Sequence, residues 1–346
     1  MLNRLIRSCL LLMGLLIVAG AMLNSSSHSV SAGATTPTCD PAKSTCKFTA
    51  LPMPKTSKLD QAAVEKINLD SYPLVPTIND HVLLIYQEGV RKGNNLHIFS
   101  KDGDCMTATE DFMAPYATSN NYDLGDYGAL DKVIKYFVGI PARGKTAKAP
   151  NDYDSFANPG LAATSGFNAA GVLDPTWSDP SVCKSDESPL ACEYRVSKPG
   201  IAIIMFGTND IKSIKPADFD LYLRRVVVET INNGTIPILS TFPIQPGLED
   251  QSKLYNQITV QIATDYDIPL INLYLGLQPL PNHGVDPKVT THMTKPADGK
   301  TGSLTKDDLQ AGYNVRNLLT LQTIGAVLAK VDPSMADLAA TPAAAS

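Results

Sequence analysis

The strongest pattern in this chain is a recurrence of short, unbroken apolar runs separated by amphipathic stretches. Ile201 to Phe206 is continuously apolar and closes on Gly207, the mark of a strand covered on both faces, as in a parallel sheet. Ile236 to Phe242 and Ile268 to Tyr274 repeat the theme, each with a proline near its start, where a strand tolerates one. Between these runs Phe219, Leu223, Val226, Val227 and Ile231 share one helical face; Leu254, Ile258, Val260, Ile262 and Tyr266 do so more loosely. Upstream, Val82, Ile85, Tyr86, Gly89 and Val90 have helical spacing, and Leu96 to Ser100 reads as a first strand. Downstream, Thr305 with Asp307 and Asp308 suits a helix start, and Tyr313 to Val331 is a long apolar-faced helix. The alternation predicts a three-layer α/β/α fold, doubly wound around a mostly parallel sheet. Residues 110–195, rich in Gly, Asn, Asp and Pro, break the rhythm. They are expected to carry a second strand, a helix and a long insertion.

The ends read differently. Arg4 and Arg7 precede an apolar run from Cys9 to Val18, and small residues follow at Ala19 to Ala21 and again at Val30 to Ala32. This predicts a signal peptide over residues 1–32, with an uncleaved anchor as the alternative, since the run falls short of the roughly 20 residues of a membrane span. The mature chain is then expected to be secreted, with no membrane span. Residues 33–59 are Thr/Ser/Pro-rich and predict a linker or loose arm, residues 60–331 the folded body, and residues 332–346 a disordered tail.

Among 346 residues, 34 acidic against 29 basic side chains give a net charge of −5, and no Lys/Arg block stands out. That excludes a basic nucleic-acid binder. Of six cysteines, Cys9 belongs to the leader. The remaining close pairs, Cys39–Cys46 and Cys183–Cys192, are expected disulfides in an exported protein, which leaves Cys105 over.

Ligands of open α/β sheets gather at the carboxyl ends of the strands. Two segments stand there: Gly103-Asp104-Cys105 after the first strand, and Gly207-Thr208-Asn209-Asp210 after the apolar one. Together with a late histidine, His292, this order resembles the SGNH (GDSL-type) hydrolases over roughly residues 96–331. The resemblance implies a nucleophile at position 105, oxyanion donors from its own N–H and the Asn209 side chain, and a third donor from a glycine. Gly166 is the candidate for that donor, with Gly171 as the alternative. It implies His292 as base, and acyl esters, whether small or carried on a glycan or lipid, as substrates. Preorganised donors at the developing oxyanion are often the largest catalytic term in acyl transfer.

Two departures matter. The nucleophile is cysteine where the family has serine, and the position three before His292, where the family has aspartate, is Val289. Asp286 is a possible substitute acid, and His283 a competing imidazole. A thiol beside an imidazolium can form a thiolate without a third member, so loss of the aspartate costs a cysteine site less. The same two changes also fit an inactive binding module that keeps the cleft for a glycan or protein partner. Tyr122, Tyr127, Tyr153 and Trp177 could then line a sugar-binding face, although such aromatics more often anchor loops. No nucleotide-binding loop, nucleophile-elbow motif or zinc motif is present, and Asp102, Asp104 and Asp210 read as turn and cap residues; neither cofactor nor metal is expected.

Overall fold

The computed structural model describes residues 47–145 and 151–340. Its centre is a four-stranded, all-parallel sheet in the order β1-β2-β3-β4, formed by Asn95–Gly103, Pro199–Met205, Ile236–Ser240 and Leu270–Ile271. Ten α-helical segments accompany it among the described residues. They are α1 Gln61–Val64, α2 His81–Lys92, α3 Cys105–Ala108, α4 Asp131–Phe137, α5 Pro189–Ser197, α6 Asp210–Ser213, α7 Pro216–Asn232, α8 Glu249–Asp265, α9 Leu273–Leu277 and α10 Gly312–Val331.

The three-layer α/β/α architecture is explained by the burial of the strands. Every residue of β2 is buried, which is possible only with helices on both faces. Alternate side chains of β1 divide between the layers. Phe99 meets Phe137 of α4 and Phe156 edge-on, whereas Asp102 faces Tyr194 of α5, which reaches Thr230 of α7. Helix α10 packs with α2, α4 and β4, and α7 packs with α8 through the stacked rings of Phe219 and Tyr255.

The structure departs from the apolar pattern in several places. β1 runs on through Lys101, Asp102 and Gly103, paired with Ile203, Ile204 and Met205. The polar residues among these are buried because each has a partner: Lys101 Nζ donates to the Phe156 carbonyl, and the Asp102 carboxyl accepts from Ser100 and shares a hydrogen bond with the Tyr194 hydroxyl. The last strand is only Leu270–Ile271, because the Asn272 side chain accepts the Leu275 N–H and caps α9. The expected strand within 110–195 is absent among the described residues, so β1 pairs directly with β2; Ala163 makes a single parallel bridge to Gly103 in its place. That region holds α4 and α5, and a disulfide joins Cys183 to Cys192.

Both loose ends are better anchored than their composition suggests. In the 33–59 arm, Leu51 exchanges hydrogen bonds with the Asn232 side chain, and Ser57 and the Lys58 N–H both donate to Asp220. In the expected tail, Pro333–Ala340 is a 3₁₀ helix lying on α10, with Met335 and Leu338 buried. Two apolar side chains three apart suffice to pin a segment whose Ala/Pro content suggests nothing to pack. The leader and the Cys39–Cys46 pair lie outside the described residues. No described helix is long and apolar enough to cross a membrane.

Candidate active site

The carboxyl ends of β1 and β2 meet at Gly103 and Met205. A side chain at Gly103 would collide with the Met205 carbonyl and Thr107, so only glycine lets the strand turn directly into α3. Asp104 caps that turn, its carboxylate accepting the Met106 N–H at 2.9 Å. Cys105, half-buried, is therefore presented at the start of α3. Its Sγ–H donates to the Thr291 carbonyl at 3.8 Å, which brings the turn against the residue preceding His292.

Below the turn lies Arg316, a buried cation of α10 that motif reading did not single out. Its guanidinium donates to the Met106 carbonyl at 2.6 Å and to Thr107 Oγ1 at 2.9 Å, and sits 3.6 Å from the centre of the Phe112 ring. Burial pushes the Asp104 carboxyl up to about 6, with Arg316 and the Met106 N–H pulling the other way. Burial also pushes the Cys105 thiol up to about 11, and the neighbouring Asp104 adds to this. The expectation of a thiol lowered by its surroundings is thus reversed: Arg316 lowers it, but by less than burial raises it.

After β2 the chain turns at Gly207, whose φ of +138° admits only glycine and whose Cα rests on the Phe242 ring. Asp210 secures this turn, its two carboxylate oxygens accepting the N–H groups of Ala169 and Gly207, both at 2.8 Å. Burial, reinforced by Asp104, raises it to about 7. Asn209 donates through Nδ2 to the Phe167 carbonyl at 2.8 Å, leaving one amide proton for another acceptor. The 166–171 loop and the Gly207–Ser213 segment are thereby stitched together. Within that loop the Gly171 N–H is already bonded to Asn168 Oδ1, whereas Gly166 is exposed at the crest with φ +89°.

His292 sits on a tight loop closed by the Val285–Met293 bridge and by backbone bonds between Asp286 and His292 and between His292 and Val289. Its Nδ1 lies 3.3 Å from the hydroxyl of Tyr313, a buried tyrosine at the start of α10. Asp286 does not orient the imidazole. Its Oδ1 accepts the Lys288 and Val289 N–H groups, and these bonds, with a smaller pull from His292, hold its carboxyl below the usual range. Val289 is 50% exposed and His283 is exposed, bonded through Nδ1 to the Gln278 carbonyl. Arg316 and Tyr313 lie inside a helix whose buried face also carries Asn314, Asn317, Thr320 and Thr323, so neither stands out from the pattern. Among the described residues no three His, Cys, Asp or Glu side chains converge on a possible metal position.

No family model matches the chain, and no curated protein matches it. Among solved structures, a lipase/acylhydrolase from Enterococcus faecalis is similar at 17% identity and a TM-score of 0.34, over 54% of this chain and 91% of its own.

Proposed function

We propose that this is an exported acyl-ester hydrolase or acyltransferase of the SGNH type that uses a thiol nucleophile. The observation that carries the reading is the contact between Cys105 Sγ and the Thr291 carbonyl, which sets the turn of β1 against the His292 loop from 186 residues away. A thiol held near 11 is not a standing thiolate at neutral pH. It reacts as a serine would, losing its proton to His292 as sulfur attacks the acyl carbonyl. The Cys105 N–H and the second Asn209 amide proton, with Gly166 from the loop, hold the oxyanion. Collapse releases the alcohol with the proton from His292. Water, deprotonated by His292, then cleaves the thioester and restores the thiol. Tyr313 stands where the family's aspartate would act, so the imidazole is oriented by a neutral hydroxyl.

A second reading, a catalytically inactive SGNH-fold module, is favoured by the same raised thiol and by the engagement of Asp286 with its own loop. Incubation with p-nitrophenyl acetate separates the two. The active reading expects an acetyl adduct or turnover that Cys105→Ala and His292→Ala abolish. A folded wild type giving neither adduct nor turnover overturns it in favour of the binding module.

A further inference from the structure

A cavity of about 1000 Å³ opens beside the candidate active site, and none of the residues assigned a catalytic role lines it. It is walled by the loop after α3, the 153–159 loop and the 299–308 segment. The two sites are neighbours: Ala108, on the cavity wall, is one turn of α3 from Cys105, about 5 Å along the helix axis.

Two observations bear on what it holds. Lys101 lines the cavity although it is 6% exposed, and its one hydrogen bond among the described residues, to the Phe156 carbonyl at 2.7 Å, uses one of three ammonium donors. Among the described residues no carboxylate lies within ion-pair distance; burial draws its pKa down to about 8, against the weaker pull of the charges on Asp154 and Glu193. A buried cation with donors to spare calls for an oxygen acceptor from the cavity side. The second observation is the wall itself. No Leu, Ile, Val, Met or Phe side chain lines it; instead there are amides, hydroxyls and carboxylates around the rings of Tyr122 and Tyr153. The apolar part of the wall is confined to short side chains, Ala108, Ala114, Ala157, Pro115 and Pro159, which form no deep apolar slot for a long acyl chain. Four carboxylates against two lysines disfavour an anion. Interleaved donors and acceptors with two aromatic faces suit a neutral polyhydroxylated ring.

We infer that this cavity is a carbohydrate subsite, with Lys101 donating to a sugar oxygen at its floor and Tyr153 covering a ring face. Sugar binding follows from the cavity alone; it rests on the acyl-transfer reading only for what the sugar carries, an ester on a neutral glycan in place of a lipid.

The test is calorimetric titration of the full mature chain with xylopentaose, cellopentaose, mannopentaose and chitopentaose. At least one is expected to bind with a Kd below 1 mM (a bound set by the affinity arithmetic of a weak small-ligand site, about −4 kcal/mol). Lys101→Met and Tyr153→Ala should each weaken it at least about tenfold, a change of about 1.4 kcal/mol. Tyr153 is only half-buried, so its variant keeps the test alive if Lys101→Met does not fold. No binding by any of the four, or binding that survives both folded variants, overturns the subsite. Sugar binding without ester turnover supports the subsite while sinking the proposed activity; turnover of p-nitrophenyl acetate without sugar binding does the reverse.

Discussion

Replacing Asp102 by asparagine should leave the fold intact and make it more stable at alkaline pH. The reason is a proton count. Ser100 Oγ donates to Asp102 at 2.5 Å, and the Tyr194 hydroxyl lies 2.7 Å from Asp102 and 2.8 Å from Thr230 Oγ1. The Thr230 proton is already given to the Val226 carbonyl at 2.7 Å, so one Tyr194 proton faces two acceptors. A protonated Asp102 removes the conflict: it donates to Tyr194, Tyr194 donates to Thr230, and every contact holds one proton. Burial raises the carboxyl to about 7, the Ser100 and Tyr194 bonds pulling less strongly the other way, in agreement with that count.

The sign follows. Between 3.8 and about 7 the folded state keeps a proton that the unfolded chain has lost, so this group's contribution falls as pH rises and is fully lost above about 7. The whole shift is worth about 4 kcal/mol, of which about 3 kcal/mol falls between pH 5 and 8. Asparagine mimics the protonated acid and does not titrate. Urea unfolding of both proteins at pH 5, 6, 7 and 8 should therefore give a stability difference that moves by about 3 kcal/mol in favour of Asp102→Asn. Buried acids that do not act on Asp102 cancel in that difference; Glu193 and Glu229 do act on it, raising its carboxyl further, so the comparison is repeated in a Glu229→Gln background. Parallel stability curves, or a variant weaker by more than about 2 kcal/mol at pH 5, would refute the neutral Asp102.

Three further outcomes test the site and its support. With its thiol pushed up to about 11, Cys105 should alkylate with iodoacetamide at pH 7 about a hundredfold more slowly than an ordinary free thiol; an equal or faster rate would mean the thiol is activated. Arg316→Met leaves the Met106 carbonyl and Asp104 without their cation and should cost about 3–5 kcal/mol in urea unfolding, whereas a loss under about 1 kcal/mol would show that the turn does not depend on it. Gly207→Ala forces a side chain onto the Phe242 ring at a backbone conformation reserved for glycine. A loss of about 2–4 kcal/mol is expected by thermal melting, and a change within about 0.5 kcal/mol would mean that the turn relaxes freely.

The parts of the fold that announce themselves in the sequence are those held by apolar burial alone. Ile201 to Phe206 is legible as a central strand because nothing polar interrupts it, and Ile236 onward for the same reason. β1 is half hidden, because Lys101-Asp102-Gly103 looks like a turn until Phe156, Ser100 and Tyr194, distant or adjacent in sequence, supply its partners. The Gly207 to Asp210 segment is legible since turn geometry restricts residue choice locally. Asp286 is the opposite case: its distance from His292 along the chain says nothing about the loop backbone that claims its carboxylate. Arg316 and Tyr313 act across more than two hundred and about twenty residues respectively, through a helix whose pattern reports only its burial.

The contribution of α10 also sets an order in time. Its Tyr313 and Arg316 complete the surroundings of Cys105, so while the chain is being synthesised the turn at Cys105 emerges long before the helix that braces it. A growing or threading chain carries a thiol with no oriented imidazole and no buried cation beneath it. The surroundings of Cys105 are complete only once residues about two hundred positions later have been made and folded back against it.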